Sequence, residues 1–481
     1  MRLTTARCEA PHASARGAAF RHAGGYALLV VALSLAEFPL PVAAANHYLR
    51  AGATGGNTGT SWTNAWTTFG TVTWIRGDTY YVAGGIYNEN VLVTKALAGT
   101  NWITVKKANP ADNAADPGWD ASYASLTATV NGAFELDDGY MELDGVTGFG
   151  TGPHGLLIWN TNCTTTLRLD GSSGPYHVLH CEIKGAGFAA STAGFDGVYN
   201  NNASVPQKGL HLAFCWIHQV TRNGVTLGGL VGTSYADYGL LFENNVISET
   251  GGCLDLGTHG QGMQISFGTE DRFTIIRGNT FRNIEGTGMV VWLGGPGSIH
   301  HDALVYNNLF YIDDVSTYKI LSPGAIYAHI AASGCSNIMI CNNTFHGLGS
   351  PNLPICALDT VGAINNVLQN NLWEQCCFTT PHRGFSTESN NGYFGNTGTG
   401  IPVGTLNQID GSSSTLSNPK LGDFRLLPQG YAVGAGVNLS RTFATDFFGG
   451  VRGSAWDIGG CQYGADTGPA IPTAVRTGTP P

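Results

Sequence analysis

The hexapeptide Phe-Glu-Asn-Asn-Val-Ile, which begins at Phe242, decides the fold because variants of it recur along the chain. The later copies are Ile-Arg-Gly-Asn-Thr-Phe from Ile276, Val-Tyr-Asn-Asn-Leu-Phe from Val305, Ile-Cys-Asn-Asn-Thr-Phe from Ile340 and Leu-Gln-Asn-Asn-Leu-Trp from Leu368. Copies spaced by roughly 30 residues indicate one supersecondary unit that is stacked on further copies of itself.

Each copy predicts a strand, a polar bend and a second strand, because short β-branched and aromatic runs are bounded by Gly and Asn. An Asn tolerates the left-handed backbone of a sharp bend, and its amide can bond the same amide one coil away, at the ~4.8 Å strand spacing. Cys at the same position is a small buried substitute. The sequence therefore predicts an all-β parallel β-helix whose ladder contains Cys181, Cys215, Asn245, Asn279, Asn308, Asn343 and Asn371.

The repeats resemble those of the right-handed parallel β-helix superfamily, which includes pectate lyases, polygalacturonases, alginate-modifying enzymes and phage tailspikes. Both ends of the chain strengthen the resemblance. Gly59-Thr-Ser-Trp-Thr-Asn-Ala-Trp66 is similar to the entry segment of many secreted members, and Asn418-Pro-Lys-Leu421 and Ala455-Trp-Asp-Ile-Gly-Gly460 are similar to their closing segment. The resemblance implies a right-handed solenoid but no single activity, since one fold hosts many chemistries.

The chain divides into three parts by composition. Residues 1–45 predict an export signal, with a basic start, an apolar run from Tyr26 to Ala36 and the small residues Ala43-Ala44-Ala45; an uncleaved anchor is the alternative. Residues 46–463 predict the β-helix, with an N-terminal cap over 46–80 that includes a short helix from Ser61, and a C-terminal cap over 418–463. Residues 464–481 predict a disordered tail, and a secreted or cell-surface location follows.

The net negative charge of the chain limits the classes of molecule that it is expected to bind. A net charge of −10 disfavours nucleic acid. No segment after the apolar run is long and apolar enough to span a membrane, so the mature chain is not expected to be membrane-bound. An acidic polysaccharide remains compatible, because a bound Ca²⁺ can reverse the local field. Cys335 and Cys341, or Cys356 with Cys376 or Cys377, are candidate disulfide partners, with buried free thiols as the favoured alternative.

The candidate site lies on outward-facing residues of successive coils, which together form a flat array suited to an extended polymer. If Met263 and Ile265 face inward, Gln264 faces outward on the same strand. Three adjacent coils then supply the candidates. The predicted catalytic residues are His259, His300, Asp302 and Tyr327, and the predicted substrate-contacting residues are Asp255, Gln261, Gln264, Trp292, His301 and His329.

These residue types allow two reactions and one alternative without catalysis. Uronate elimination needs a base and a group that neutralises the resulting charge, and a Tyr or His with Gln264 would supply both. Hydrolysis needs two carboxylates, for which Asp255, Glu270, Asp271 and Asp302 are available. Elimination is favoured over hydrolysis. The alternative is a surface or structural β-helix protein that binds without cleaving. The Asn ladder supports this alternative and an enzyme equally.

Overall fold

Three parallel β-sheets form the solenoid, because successive coils contribute short strands that stack in register. The computed structural model describes residues 44–170, 174–187, 194–200, 207–251, 260–266, 270–284, 289–294, 298–313, 325–328, 336–349, 364–378, 382, 384–400, 408–410 and 414–465. They belong to one compact unit that begins at Ala44. The predicted parallel β-helix is therefore confirmed, whereas the predicted export signal and tail lie almost entirely outside the described residues.

The strands stack in chain order within each sheet. The first sheet contains β1 (Asn46–Leu49), β2 (Thr79–Val82), β5 (Ile103–Lys107), β8 (Met141–Asp144), β11 (Tyr176–Leu179), β14 (Leu210–Ala213), β17 (Leu240–Glu243), β20 (Glu270–Arg277), β23 (Ile299–Tyr306), β26 (Ser336–Cys341), β28 (Val367–Gln369) and β31 (Thr387–Ser389). The second contains β3 (Gly85–Tyr87), β6 (Ala128–Asn131), β9 (Leu156–Trp159), β12 (Cys181–Lys184), β15 (Trp216–Val220), β18 (Val246–Thr250), β21 (Thr280–Ile284), β24 (Leu309–Tyr311), β27 (Thr344–His346), β29 (Leu372–Glu374), β32 (Gly392–Phe394) and β34 (Gln408–Asp410). The third contains β4 (Val91–Thr94), β7 (Phe134–Asp137), β10 (Leu167–Asp170), β13 (Val198–Tyr199), β16 (Val225–Leu227), β19 (Met263–Ile265), β22 (Met289–Leu293) and β25 (Ala325–Ala328).

A few short elements lie outside these sheets. Two strand pairs form near the C-terminal end, β30 (Cys377–Phe378) with β33 (Thr397–Gly398), and β35 (Leu416–Asn418) with β36 (Asp423–Leu426). The helices among the described residues are α1 (Pro110–Asn113), α2 (Ser122–Ser125) and the 3-10 turns Phe69–Thr71 and Pro419–Leu421. None of the helices in the described part of the chain has the length and apolar character that crossing a bilayer requires.

The predicted ladder is present at the bend between the first and second sheets. The buried amides of successive coils bond one another at 2.9–3.2 Å, from Asn245 through Asn279, Asn308 and Asn343 to Asn371 and Asn391. Cys215 continues the ladder, since its backbone N–H donates to the Asn245 side chain. Cys181 and Cys215 are buried free thiols, as the small-substitute interpretation expects.

The left-handed bend belongs to the residue before each ladder Asn. Asn244, Asn307, Asn342 and Asn370 have φ between +51° and +57°. The prediction that one Asn both bends the chain and forms the ladder is therefore corrected, because the first Asn of the pair bends and the second bonds. The aromatic residue that ends the repeat also stacks inside the solenoid, with Phe281, Phe310, Phe345 and Trp373 separated by 4.8 Å between ring centroids.

The N-terminal cap is aromatic but contains less helix than expected. The Asn64 N–H donates to the Ser61 hydroxyl at 3.2 Å, yet the segment continues as turns and reaches helical geometry only in the 3-10 turn Phe69–Thr71. Trp66 and Phe69 nevertheless join the main hydrophobic core and so cover the first coils. Tight turns suffice here because the large rings, rather than helical hydrogen bonds, fill the end of the solenoid.

The closing segment runs along the side of several coils. We call residues 414–465 the C-terminal clasp. Its Thr445 carbonyl accepts from Asn307, its Asp457 carbonyl accepts from Asn342, and its Val437 carbonyl accepts from Asn370. Residues 385–417 overlap the start of the clasp and were expected to form a loosely structured covering segment. They instead contribute β31, β32 and β34, so coil stacking continues further than the repeat pattern predicts.

Candidate functional site

The outward face of the third sheet places several predicted site residues side by side. Met263 and Ile265 are fully buried in the core, so Gln264 between them points away from the core, although Gln264 is itself only 4% exposed. Gln264 is in register with Trp292 on β22, and Trp292 with Tyr327 on β25. Continued along the sheet, this register defines the outward row, which consists of Leu92, Glu135, Arg168, Tyr199, Thr226, Gln264 and Trp292, and Tyr327 is the next position in register.

A network of neighbouring polar groups fixes the Gln264 amide. The Asn223 side chain donates to the Gln264 oxygen at 2.8 Å, and the Gln264 nitrogen donates to the Ser266 hydroxyl at 2.7 Å. Asn223 is itself oriented, since its backbone N–H donates to the buried carboxylate of Asp196 at 3.2 Å. Arg222 pairs with that carboxylate through two nitrogens. Gln264 therefore has a defined orientation, with its N–H groups directed away from Asn223.

These supporting residues were missed by the sequence analysis. Asn223 directly precedes the strand Gly224-Val-Thr-Leu, whose outward Thr226 accepts a hydrogen bond from the same Asn223 amide. An Asn before a Gly-introduced strand was a visible signal. Asp196 and Arg222 carried no comparable signal, because their pairing depends on the register of two coils.

The row carries a charged cluster toward its N-terminal end. Arg168 contacts the carboxylates of both Asp170 and Glu135, with its Nη1 3.8 Å from a Glu135 oxygen. Burial raises the pKa of Glu135, and the nearby Asp170 and Asp137 raise it further against the opposing effect of Arg168. Burial and Asp138 also raise the pKa of Asp137. Sequence reasoning missed this cluster, which places carboxylates on the face where a polymer would lie.

Three predicted residues lie on the first sheet instead of the third. His300 on β23 is fully buried, and this burial, together with His301, lowers its pKa to about 3. The His301 ring nitrogen lies 2.7 Å from the Ser336 hydroxyl on the next strand. Asp302 has φ +56°, which kinks β23 at this point, and it accepts from the Asn337 amide of the next coil at 2.9 Å. His300, His301 and Asp302 therefore do not join the outward row.

The remaining predicted residues are divided between the interior and undescribed segments. Gln261 is fully buried, and its side-chain nitrogen and oxygen have no hydrogen-bond partner among the described residues. Its backbone N–H donates to the Asn223 side chain, so Gln261 supports the network rather than facing the row. Asp255, His259 and His329 lie outside the described residues.

Glu270 and Asp271, two of the carboxylates nominated for hydrolysis, do not pair with each other. Glu270 is paired with Arg272 at the surface, whereas Asp271 is fully buried. Burial raises the pKa of Asp271 to about 7, although the Leu230 and Gly229 N–H groups oppose the shift. Neighbouring residues of one strand face opposite ways, so these two carboxyl groups cannot act on one bond.

The possible Ca²⁺ site has no candidate ligand set in the described part of the chain. Within the ranges given above, no three His, Cys, Asp or Glu side chains group together as metal ligands would. The carboxylates of Glu135 and Asp170 do approach each other, but the Arg168 guanidinium already lies between them. Ca²⁺ dependence therefore stays a prediction for experiment.

Comparison with known proteins identifies the fold but no closer relationship. No protein-family model and no curated protein sequence matches the chain. Among solved structures, pectate lyase Pel9A is 12% identical, with 88% of this chain and 97% of that chain covered and a TM-score of 0.53. An alginate lyase from Paenibacillus sp. strain FPU-7 is 14% identical, with 70% and 93% covered and a TM-score of 0.37. The described chain is therefore a right-handed parallel β-helix of the architecture seen in pectate lyase Pel9A.

Proposed function

We propose that the chain is an exported protein that binds an extended extracellular polysaccharide along the outward row of the third sheet and cleaves it by elimination. The observation that carries the proposal is the register of Gln264, Trp292 and Tyr327 on three adjacent strands. Strands spaced by ~4.8 Å present one side chain after another to a linear polymer. The indole of Trp292 offers an apolar face for a sugar ring.

The orientation of Gln264 favours elimination as the reaction. A base removes the proton beside the uronate carboxylate, the electron pair forms a carbon–carbon double bond, and the bond to the leaving-group oxygen breaks as that oxygen gains a proton. Negative charge develops on the carboxylate, where fixed N–H donors stabilise it. Gln264 has such donors, held by Asn223 and Ser266. Tyr327, next to Trp292 in register, is the proposed base.

The inward position of His300 favours a second candidate function. A fully buried imidazole cannot contact a polymer that lies on the surface. If the reacting centre depended on His300, the site would be inactive. The second candidate is therefore a β-helix that binds the polymer through the same row without cleaving it.

Product formation by the mature chain from Asn46 onward distinguishes the two candidates. The protein is incubated with uronate-containing and neutral polysaccharides, with and without Ca²⁺, and unsaturated sugars and reducing ends are measured separately. Elimination predicts unsaturated products that Tyr327→Phe and Gln264→Ala each abolish. Reducing ends without unsaturation would overturn elimination in favour of hydrolysis near Glu135 and Asp170. Binding without any product would establish the second candidate.

A further inference from the structure

One coil departs from the outer Asn pattern at the bend between the first and second sheets. The residue with the left-handed backbone is Asn in most neighbouring coils, including Asn244, Asn307 and Asn342, but it is Gly278 in the coil between the first two. A Cβ built on Gly278 would lie only 2.6 Å from the Asn244 amide oxygen. The Asn244 amide therefore occupies the place that a side chain at position 278 would take, and it would have to move to admit one.

Gly278 and Asn244 line a cavity of about 250 Å³ between the coils and the C-terminal clasp. The coil side is lined by Glu243, Asn244, Arg277, Gly278, Tyr306 and Asn307, and the clasp side by Thr445, Asp446, Phe447 and Gly449. In the next coil, Asn307 uses its amide to hold the clasp, donating to the Thr445 carbonyl at 2.8 Å. Gly278 has no side chain that could make such a bond. The clasp is therefore held beside the cavity at Asn307 but not at Gly278.

The cavity combines paired donors and acceptors. Arg277 donates through Nε to a Glu243 oxygen at 2.7 Å and through Nη1 to the Tyr306 hydroxyl at 3.1 Å. Burial alone would raise the pKa of Glu243, but the hydrogen bond from His211 and the nearby Arg277 outweigh it and hold that pKa below its ordinary value. Glu243 is therefore an ionised acceptor beside a guanidinium whose side chain is 42% exposed.

We propose that this cavity is a binding site for one neutral pyranose unit. Adjacent sugar hydroxyls both donate and accept, which the neighbouring Glu243 and Arg277 groups match, and the Asn244 amide adds a further donor and acceptor. The Phe447 ring supplies an apolar wall. A sugar acid fits less well, because the carboxylates of Glu243 and Asp446 line the same cavity and repel a third carboxylate. The site is separate from the outward row of the third sheet and does not depend on that row being catalytic.

The variant Gly278→Asn tests the site by restoring the residue that neighbouring coils carry. Asn accepts the left-handed backbone at φ +64°, and only the movable end of Asn244 must shift to admit its side chain. Binding of the methyl glycosides of glucose, galactose and xylose, and of glucuronate, is measured by ligand-observed NMR titration. We expect millimolar binding of at least one neutral glycoside by the native chain, weaker binding of glucuronate, and at least a tenfold loss in Gly278→Asn.

Two control variants keep the test decisive. Gly395→Asn places the same side chain at φ +58°, where its Cβ would meet nothing closer than Gln375 Cγ at 3.7 Å, and is expected to leave binding unchanged. Trp292→Ala removes sugar binding at the third sheet and is expected to leave the Gly278-dependent binding unchanged. The proposal is overturned if no neutral glycoside binds the native chain, if Gly278→Asn binds as well as Gly395→Asn, or if glucuronate binds more tightly than the neutral sugars.

Discussion

At the scale of single residues, the Asn-Asn pair divides two tasks that one Asn was expected to perform. The first residue adopts the left-handed bend and directs its amide outward, where Asn307, Asn342 and Asn370 hold the clasp. The second directs its amide inward and bonds the coils above and below. The sequence revealed the repeat, but the division of tasks depends on backbone geometry that two adjacent identical residues do not disclose.

The ladder residue Asn308 is expected to be among the most sensitive positions in the chain. Its fully buried amide donates to the Ile276 carbonyl at 2.9 Å, donates to the Asn343 amide at 2.9 Å and accepts from Asn279 at 3.0 Å. Asn308→Ala leaves several buried groups unpaired, at a cost of about 3 kcal/mol or more. Denaturant unfolding should show this loss, whereas Asn101→Ala at an exposed turn should change stability by less than about 0.5 kcal/mol. Equal stability of the two variants would contradict a structural ladder.

The buried carboxyl group of Asp271 makes stability depend on pH. Its folded pKa of about 7 lies above the ordinary value of 3.8, so the folded state holds the proton more tightly and stability falls as pH rises between these values. The total effect is up to about 4 kcal/mol at about 1.4 kcal/mol per pH unit. Asp271→Asn is expected to be more stable than the native chain at pH 8, and the difference should vanish near pH 4. A difference in stability between Asp271→Asn and the native chain that does not change with pH would contradict this role of Asp271.

At the scale of elements, a buried cation adds to the Asn side chains that hold the C-terminal clasp to the coils. Arg452 is 5% exposed, and its Nη2 donates to the Asn307 amide oxygen at 2.9 Å and to the Gly460 carbonyl at 2.8 Å. Its charge also offsets the buried carboxyl group of Asp446, which lies nearby. The clasp therefore depends on a contact between residues distant in sequence.

Removal of the Arg452 side chain is expected to loosen the clasp. Arg452→Ala leaves buried acceptors and a carboxyl group without their cation, which costs about 3–5 kcal/mol. Limited proteolysis should then cleave the clasp before the coils, while Arg425→Ala, whose side chain is 57% exposed in an ion pair with Asp423, should behave as the native chain does. Resistance of Arg452→Ala to proteolysis equal to that of the native chain would argue against this anchoring role.

The elements that sequence could predict are those built from the repeat itself. Hydrophobic alternation and the Asn pairs predicted the coils from Cys181 to Trp373, and the structure confirms them. The coil containing Asn391 was missed because its strand Gly392–Phe394 carries Gly where earlier coils carry Thr or Leu. The helix expected from Ser61 was overpredicted, because a capping hydroxyl and aromatic spacing suit a tight turn as well as a helix.

At the scale of the whole molecule, the sequence pattern reached strand register but not the site itself, which stays a prediction. Gln264, Trp292 and Tyr327 are in register on adjacent strands, because a period of two along each strand and a fixed coil spacing suffice to align them. His300 and Asp302 were assigned to the same face by proximity in sequence, but they belong to β23 of the first sheet. The charged cluster around Arg168 could not be predicted, since it joins coils that the repeat does not align.

The export hypothesis makes a separate prediction about the mature chain. When the full-length chain is expressed in a secretion-competent bacterial host, mass spectrometry of the protein in the medium should give an N-terminus at Asn46. The physical basis is the small-residue site Ala43-Ala44-Ala45 after a short apolar run. Recovery of a chain that still begins at Met1, in the membrane fraction, would support the uncleaved anchor instead.

The most direct test of the proposed polysaccharide site on the third sheet is a comparison of two tryptophan variants. Retardation of the native chain, Trp292→Ala and Trp159→Ala is measured in gels that contain each polysaccharide of the panel. Trp159 is 37% exposed on the outward face of the second sheet and so provides a matched control. We expect Trp292→Ala to weaken, at least tenfold, the retardation by any polysaccharide that retards the native chain. We expect Trp159→Ala to leave that retardation unchanged. Equal retardation of all three chains, or a loss confined to Trp159→Ala, would contradict it.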